Sequence, residues 1–226
     1  MRLSLCTWIA DWPPIRQVTP INLQLTLSRS DVEHVILDVG SDAKTREWLE
    51  SLSPRLRIVT AAIEPLHFAA AYNAVSREAR GEVLAWLDGD NVIGPDYVAR
   101  VLAEIDADPL AIVHAWTGDW LDGTCGRLAM HRDLFWRIGG YDEALLNAGS
   151  QDLDLRDRAQ AAGGRVVVIQ EPSVVGLAIR TSHAAKTQHL RDDYHKTNAI
   201  NAAISRANLA AGRLVANKVV GTLRVP

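Results

Sequence analysis

Short apolar runs alternate with segments of helical periodicity along most of the chain. The apolar runs predict strands over 3–7, 34–38, 57–60, 83–87, 111–116, 127–130 and 165–169, with a further strand-like stretch over 174–178. Helices are predicted over 43–52, 69–80, 96–107, 131–138 and 150–162, and in most of the alanine-rich tail from Thr187 onward. The spacing of Ile21, Leu25 and Leu27 indicates one more helix after the first strand. This alternation predicts an α/β fold, with a doubly wound, mostly parallel sheet and helices on both faces.

Length and composition are those of one globular domain. The chain has 226 residues, of which 48% are hydrophobic and 23% charged, which is ordinary for a protein with one sizeable core. The formal net charge of −3 gives no overall attraction to nucleic acid or to an anionic membrane. No apolar stretch approaches the roughly 20 residues of a membrane-spanning helix, and the N-terminus lacks a signal-peptide pattern. Because the two cysteines, Cys6 and Cys125, are too few for a disulfide framework, we expect buried thiols and a cytoplasmic protein.

An acidic pair follows the predicted strand over 83–87. That strand comes after the turn-like 80–82 and ends at Asp88-Gly89-Asp90. Ligands of open α/β sheets bind at the carboxyl ends of the strands. Two aspartates one residue apart can hold a hard divalent cation, which in turn can hold a diphosphate. The same residues are also typical of a plain polar turn, so the motif alone leaves both interpretations open.

A second acidic cluster begins the helix over 150–162, for which Ser150 is a candidate N-cap. Asp152 and Asp154 lie in its first turn, where the helix dipole stabilises each carboxylate by about 0.3–1 kcal/mol. That stabilisation alone could explain both residues. The alternative is that Asp152 points into a cleft and acts as a general base.

Tryptophan is unusually frequent, with seven residues against two phenylalanines. Trp116 and Trp120 flank the polar stretch 117–119. An exposed indole face can stack on the C–H face of a sugar ring, so both are candidate acceptor-binding residues. Packing in the core is the alternative.

Four segments in order resemble the GT-A glycosyltransferases of family 2. Residues 64–90 resemble that family's Asn-bearing helix, its Arg-Gly-Glu turn and the apolar strand that leads to its metal-binding Asp-x-Asp. Residues 36–41 look like its Val-Val-Asp-Asp-Gly-Ser strand end, and 137–143 are similar to the segment before its catalytic acidic motif. Gln151-Asp152 then stands where the family has Glu-Asp. The C-terminal half also resembles galactosyltransferases of the same fold.

The resemblance implies one GT-A, Rossmann-like domain over 1–226. Its parts would be a nucleotide-sugar-binding half (1–116), an acceptor and catalytic half (117–186) and a helical tail (187–226). The implied activity is that of a hexosyltransferase, which moves a sugar from a nucleotide-diphosphate donor, expected to be a UDP-sugar, to an acceptor hydroxyl. Inversion at the anomeric carbon is the expected stereochemical outcome.

Roles of the donor-side residues follow from the same resemblance. Thr7, at the predicted end of the first strand, would contact the nucleotide, and Asp38 would contact the base. The family's second aspartate is Val39 here, which puts the identity of the base in doubt. Asp90 would ligate a metal directly, and Asp88 would contact the metal or the donor through ribose or water.

The remaining implied roles concern the metal and the acceptor. His183 resembles an additional metal ligand, with His189 as the alternative. Carboxylate, imidazole and diphosphate ligands suit Mn²⁺ or Mg²⁺. Asp152 would be the general base. Gln151 would contact the acceptor, because an amide in place of glutamate cannot exchange protons.

Two other functions remain open from the sequence. A nucleotidyltransferase acting on sugar phosphates also uses a metal and paired carboxylates, but the glycine-rich phosphate loop expected near its N-terminus is absent from residues 8–16. The second is a non-catalytic nucleotide- or glycan-binding relative. The sequence does not identify the acceptor, which could be a saccharide, a lipid-linked glycan, a natural product, a protein or a modified nucleic acid. It also leaves open the oligomeric state and whether the basic tail contacts a polymer or a membrane.

Overall fold

The computed structural model describes residues 1–120, 122–179 and 193–217. Strands in this part of the chain are β1 (Leu3–Ile9), β2 (Val32–Asp38), β3 (Leu56–Thr60), β4 (Val83–Trp86), β5 (Asn91–Val92), β6 (Ala111–Ala115), β7 (Leu128–His131), β8 (Arg165–Ile169) and β9 (Leu177–Ala178). Helices are α1 (Ile15–Thr26), α2 (Ala43–Leu52), α3 (Phe68–Glu78), α4 (Tyr97–Ala107), α5 (Arg132–Arg137), α6 (Gln151–Ala161), α7 (Pro172–Val175) and α8 (Tyr194–Ala210).

A seven-stranded sheet in the order β3-β2-β1-β4-β7-β6-β8 runs through the molecule. Strands β3, β2, β1 and β4 are parallel, β7 is antiparallel to both of its neighbours, and β6 and β8 are parallel to each other. The chain order reverses between β1 and β4, which is the topological switch point where open α/β sheets bind ligands. The fold is therefore the α/β type with a mostly parallel, doubly wound sheet that the sequence pattern predicts.

Helices cover both faces of the sheet, so its central strands are buried on both sides. This explains why β4 is a continuous apolar run and does not alternate apolar with polar residues. Trp86 of β4 is fully buried on one face. Its ring packs against Phe135, with 4.7 Å between centroids, and edge-on against Tyr141 at 5.5 Å.

Helix α1 differs from its prediction in the face that it buries. Ile21 and Leu27 are 45% and 39% exposed, although their spacing indicated the helix. The buried face contains polar residues, among them Asn22, whose side-chain amide donates to the carbonyl oxygen of Asn91 at 2.9 Å and whose Oδ1 accepts from the amide nitrogen of Ile93 at 3.0 Å. Because these polar side chains bond to the chain just after β4, hydrophobicity alone did not identify the buried face.

The strand-like stretch over 174–178 is mostly not a strand. Pro172 begins the short helix α7, which ends at Gly176, and only Leu177 and Ala178 pair with β5. Gly176 has a φ of 69°, and a Cβ there would lie 2.3 Å from the carbonyl oxygen of Val92. The close approach of β5 therefore interrupts the apolar run that predicted a strand.

No helix in the described parts of the chain is both long and apolar enough to cross a lipid bilayer.

The buried ion pair between Asp154 and Arg158 in α6 is expected to be important for stability. The two side chains are 0% and 1% exposed, and their charged atoms are 2.7 Å apart. Arg158→Met should lower the free energy of unfolding by about 3–5 kcal/mol, because it leaves a buried carboxylate unpaired. Chemical denaturation measures this loss. The double variant Asp154→Leu/Arg158→Met should lose less, and an equal or greater loss in the double variant would contradict this account.

Candidate active site

Two carboxylates from the two halves of the chain meet beside Gly126. Asp88 follows β4 at the carboxyl edge of the sheet, and Asp152 is in the first turn of α6. A Cβ placed on Gly126 would lie 3.1 Å from Oδ2 of Asp152 and 3.4 Å from Oδ2 of Asp88. Both oxygens therefore border the space beside Gly126, and a side chain at this position would contact both carboxylates and be tight against Asp152.

The electrostatics of Asp152 follow from this arrangement. Burial, and then the negative charge of Asp88, raise the pKa of the Asp152 carboxyl to about 7. Burial, and then the negative charges of Asp152 and Asp88, raise the pKa of the Cys125 thiol to about 12. A carboxyl that titrates near neutral pH can take up and release protons there, which is what general base catalysis needs.

Asp88 is held in place from α3. The hydroxyl of Tyr72 donates a hydrogen bond to Oδ1 of Asp88. Burial and the nearby charge of Asp88 raise the pKa of Tyr72, so the phenol stays protonated and remains a donor. The Tyr72 ring stacks on Tyr141 at 4.9 Å, and this packing fixes the hydroxyl in turn. Helical spacing alone did not identify Tyr72 as part of the site.

Asp90 lies deeper than Asp88. It is 3% exposed, and its Oδ1 accepts from the side-chain amide of Asn91 at 2.6 Å. The Oδ1 of Asn91 accepts from Nε of the buried Arg127 at 2.5 Å. Of the two aspartates in the Asp-x-Asp motif, Asp88 is thus the more accessible from the cleft.

A metal site is incomplete within the described residues. Across 1–120, 122–179 and 193–217, no three His, Cys, Asp or Glu side chains form a set that could hold an ion. His183 and His189, the predicted further ligands, lie outside the described residues. Asp88 and Asp90 still fit a hard cation, since Mg²⁺ is commonly bound by one or two carboxylates with substrate phosphates completing its coordination.

The placement of Thr7 differs from its prediction. β1 continues past it to Ile9, and Thr7 is 1% exposed with its hydroxyl 3.2 Å from Nε2 of His34. Thr7 therefore belongs to the interior and does not stand at the ligand-binding edge. The prediction placed the end of the strand too early because the apolar run is interrupted at Thr7.

Asp38 lies at the carboxyl end of β2, but other protein groups use both of its oxygens. Oδ1 accepts from the amide nitrogen of Ser41 at 2.8 Å, and Oδ2 accepts from Nε of Arg46 at 3.0 Å. Its side chain is fully buried. In this structure Asp38 shapes the turn after β2 and presents no oxygen to the cleft.

A cavity of about 200 Å³ opens where β1, β2 and β3 end. Its lining comprises Ala10, Asp11, Val39, Gly40, Ile63, Glu64 and Leu66. Asp11 has a φ of 47°, in the left-handed region that few residues other than glycine adopt, and its amide nitrogen donates to the hydroxyl of Ser41 at 3.1 Å. Strained residues of this kind are common at binding sites, and Asp11 was missed from the sequence because β1 was predicted to end earlier.

The loop before α6 changes the interpretation of two more residues. Gln151 is 4% exposed, and its amide donates to the carbonyl oxygen of Leu146 at 3.0 Å. It is therefore committed to holding the loop and not presented to an acceptor. Ser150 occupies the N-cap position but has a φ of 61° and makes no capping hydrogen bond, so its predicted role as a cap is wrong.

The two tryptophans do form one aromatic surface. The rings of Trp116 and Trp120 lie 4.5 Å apart at 56°, and His114 also stacks on Trp116, at 5.0 Å and nearly parallel. Trp120 is 56% exposed, whereas Trp116 is half-buried. Nε2 of His114 lies 2.8 Å from the carbonyl oxygen of Cys125, which connects this stack to the turn before β7 that contains Gly126.

Residues 16–153 match the family model described as glycosyl transferase family 2. The chain belongs to this family. It is 26% identical over 221 aligned positions to the validoxylamine A glucosyltransferase of Streptomyces hygroscopicus subsp. jinggangensis (strain 5008), covering 73% of this chain and 52% of that protein. A second glucosyltransferase of the same name, from S. hygroscopicus subsp. limoneus, is also 26% identical, and 49% of it is covered. The chain thus spans about half the length of these curated relatives.

Solved structures share the fold of this chain. The S. aureus TarS fragment 1-349 in complex with UDP aligns with a TM-score of 0.61 and 14% identity, over 93% of this chain and 72% of that one. GalNAc-T7 with UDP, GalNAc and Mn²⁺ aligns with a TM-score of 0.62 and 15% identity, over 75% and 42% of the two chains. Together with the family match, these structures identify the fold as GT-A.

Gly126→Ala tests the space between the two carboxylates. The variant should fold, because Gly126 does not have the positive φ that disfavours alanine. Its methyl group would lie 3.1 Å from Oδ2 of Asp152, so this carboxylate has to shift by a few tenths of an ångström, and misplacing a reacting group lowers the rate. We expect a near-normal melting temperature and a measurable loss in the rate of nucleotide-sugar hydrolysis. Wild-type turnover in Gly126→Ala would contradict the placement of the reaction here.

Proposed function

We propose that this glycosyltransferase is metal-dependent, uses a UDP-sugar and inverts the anomeric carbon, with Asp152 as general base. The observation that carries the proposal is the approach of Asp88 and Asp152 to the same space beside Gly126. One carboxylate lies on the donor side, after β4 at the switch point, and the other begins a helix from the second half of the chain. A transferase needs both groups within reach of one anomeric carbon.

The donor side is supported by the strand ends. The cavity lined by Asp11, Val39 and Gly40 is the proposed nucleoside site, and Asp88 and Asp90 the diphosphate site. UDP in the related TarS and GalNAc-T7 structures, the second also with Mn²⁺, supports a UDP-sugar and a divalent cation. Thr7 and Asp38 form hydrogen bonds within the protein. We therefore assign the contacts to the base to the residues that line the cavity.

A divalent cation held by Asp88 and Asp90 would supply charge neutralisation for the departing diphosphate. The protein holds these two carboxylates through neighbouring hydrogen bonds. Tyr72 donates to Asp88, and Asn91, itself held by Arg127, donates to Asp90. Such preorganisation lowers the cost of assembling the site during the reaction.

The acceptor hydroxyl is activated by Asp152. Asp152 accepts the hydroxyl proton while the acceptor oxygen forms a bond to the anomeric carbon. The bond from that carbon to the diphosphate oxygen breaks, and the nucleoside diphosphate leaves with the electron pair. Attack from the side opposite the leaving group inverts the configuration in this single step.

The acceptor is proposed to carry a sugar-like ring. Trp120 offers an exposed indole face beside Trp116, and His114 connects this surface to the turn that contains Gly126. Aromatic faces of this kind suit the apolar face of a carbohydrate ring. The curated relatives, which are named validoxylamine A glucosyltransferases, support a glucosyl donor.

The pH dependence tests the role of Asp152. The carboxylate is the active form of a base, and its pKa is raised to about 7, so turnover should increase as the pH rises through neutrality. Asp152→Asn should lose about 10²–10⁴-fold in kcat. Asp157→Asn changes a carboxylate on the same helix that is paired with Arg156, and it should retain wild-type turnover. A pH profile in Asp152→Asn with wild-type shape and height would exclude Asp152 as the base.

Donor binding tests the metal and nucleotide assignment. Titration calorimetry with UDP should show tight binding with Mn²⁺ and weak binding with EDTA, and Asp90→Ala should abolish the difference. Asp96→Ala removes an exposed carboxylate at the start of α4 and serves as the matched control. If UDP binding is equally strong with EDTA, the metal assignment is wrong. If UDP does not bind under any condition, the donor assignment is wrong, and a non-catalytic binding protein becomes the better interpretation.

A further inference from the structure

Helix α8 anchors the loop that precedes the proposed base. Asn201, in the middle of this helix, is fully buried. Its side-chain amide donates to the carbonyl oxygens of Leu146 and Ala148, both at 3.1 Å, and of Gly149 at 2.8 Å. Its Oδ1 accepts from the amide nitrogen of Leu146 at 2.6 Å. The two N–H groups of one amide are thus shared among three carbonyl oxygens, and its oxygen binds one amide nitrogen, in a loop that has no regular secondary structure.

The loop has an unusual backbone where it meets α8. Gly149 and Ser150 have φ values of 93° and 61°, and Gln151 then begins α6. A Cβ on Gly149 would lie 2.7 Å from Cβ and 2.8 Å from Cα of Asn198. The hydroxyl of Ser150 donates to Oδ1 of Asn198 at 2.7 Å. Two consecutive residues in the left-handed region need external support, and α8 supplies it.

This loop determines where Asp152 stands. Asp152 is the second residue of α6, so a shift of the turn at Gly149 and Ser150 would move its carboxylate relative to Asp88. The first residue of α8 faces the same region. Burial, and then the charge of Asp152, raise the pKa of Tyr194 to about 12.

We propose that Asn201 is a positioning residue for Asp152: its hydrogen bonds to 146–149 fix the turn from which α6 starts. The inference rests on the proposed role of Asp152 as general base. Helix α8 lies outside the segment 16–153 that matches the family, so the family match does not assign this role. Helix α8 then acts on the reaction through the position of Asp152, and none of these contacts touches the donor site.

Two substitutions and one matched control test the inference. Asn201→Leu keeps the approximate volume but removes every hydrogen bond to the loop. Asn201→Ser keeps one donor and one acceptor, and decides the test if the leucine variant does not fold. Thr197→Val is the control: Thr197 is equally buried in the same helix, but its hydroxyl donates to the carbonyl oxygen of Tyr194 within that helix.

The measurements are amide hydrogen exchange and steady-state kinetics, both well below the melting temperature. Amides of 146–152 should exchange at least about tenfold faster in Asn201→Leu, whereas those of β1 and β4 should not change. With UDP-glucose, UDP-galactose and UDP-N-acetylglucosamine as probes in Mn²⁺, kcat for hydrolysis should fall roughly tenfold to 100-fold at unchanged KM. The Kd for UDP should also stay constant. Thr197→Val should match the wild type in every measurement.

A purely structural role would lower the melting temperature without changing kcat of the folded protein. A folded Asn201 variant with the kcat of Thr197→Val would therefore overturn the inference, whether or not its loop amides exchange faster. Unchanged exchange over 146–152 would overturn it as well. Wild-type protein that binds no UDP and hydrolyses none of the three sugars would instead remove the proposed function, and the inference with it.

Discussion

The approach of two carboxylates around Gly126 is the constraint on which the rest of the cleft depends. Burial, and then the negative charge of Asp88, make the Asp152 carboxylate costly to keep ionised, and both raise its pKa. A protein built only for stability would separate the two carboxylates or pair each with a cation. The arrangement is useful to a transferase, because one carboxylate can serve the leaving group while the other serves the incoming hydroxyl.

The loop between α5 and α6 keeps this geometry through buried polar side chains. Asn73 bonds both the amide nitrogen and the carbonyl oxygen of Tyr141, at 2.9 and 2.8 Å. Arg158 donates to the carbonyl oxygens of Ile138 and Gly140, at 3.0 and 2.8 Å. Asn201 holds the last part of the loop from α8. An irregular segment leaves many backbone groups without partners. Burying these groups destabilises the fold unless such side chains supply the missing hydrogen bonds.

The sequence predicted elements well where one physical signal dominates. Helix α2 and strand β8 have the predicted bounds, because Asp42 caps the helix and a β-branched run forms the strand. The prediction of buried faces and strand ends failed where polar residues are buried. The buried face of α1 carries Asn22, which no apolar pattern reveals, and Thr7 stays inside β1 because His34 partners its hydroxyl. The acidic motifs could be found by their place in the chain, but their shared contact with Gly126 depends on residues distant in sequence.

The most direct test is a crystal structure with UDP and Mn²⁺, with diffraction data collected at the manganese absorption edge. The account predicts one anomalous peak within coordination distance of the Asp88 or Asp90 carboxylate, about 2.0–2.6 Å for hard cations and oxygen ligands. The uridine should lie in the cavity beside Val39 and Gly40, and the Asp152 carboxylate should face the terminal phosphate across Gly126. UDP bound elsewhere, or manganese bound away from both aspartates, would contradict the account.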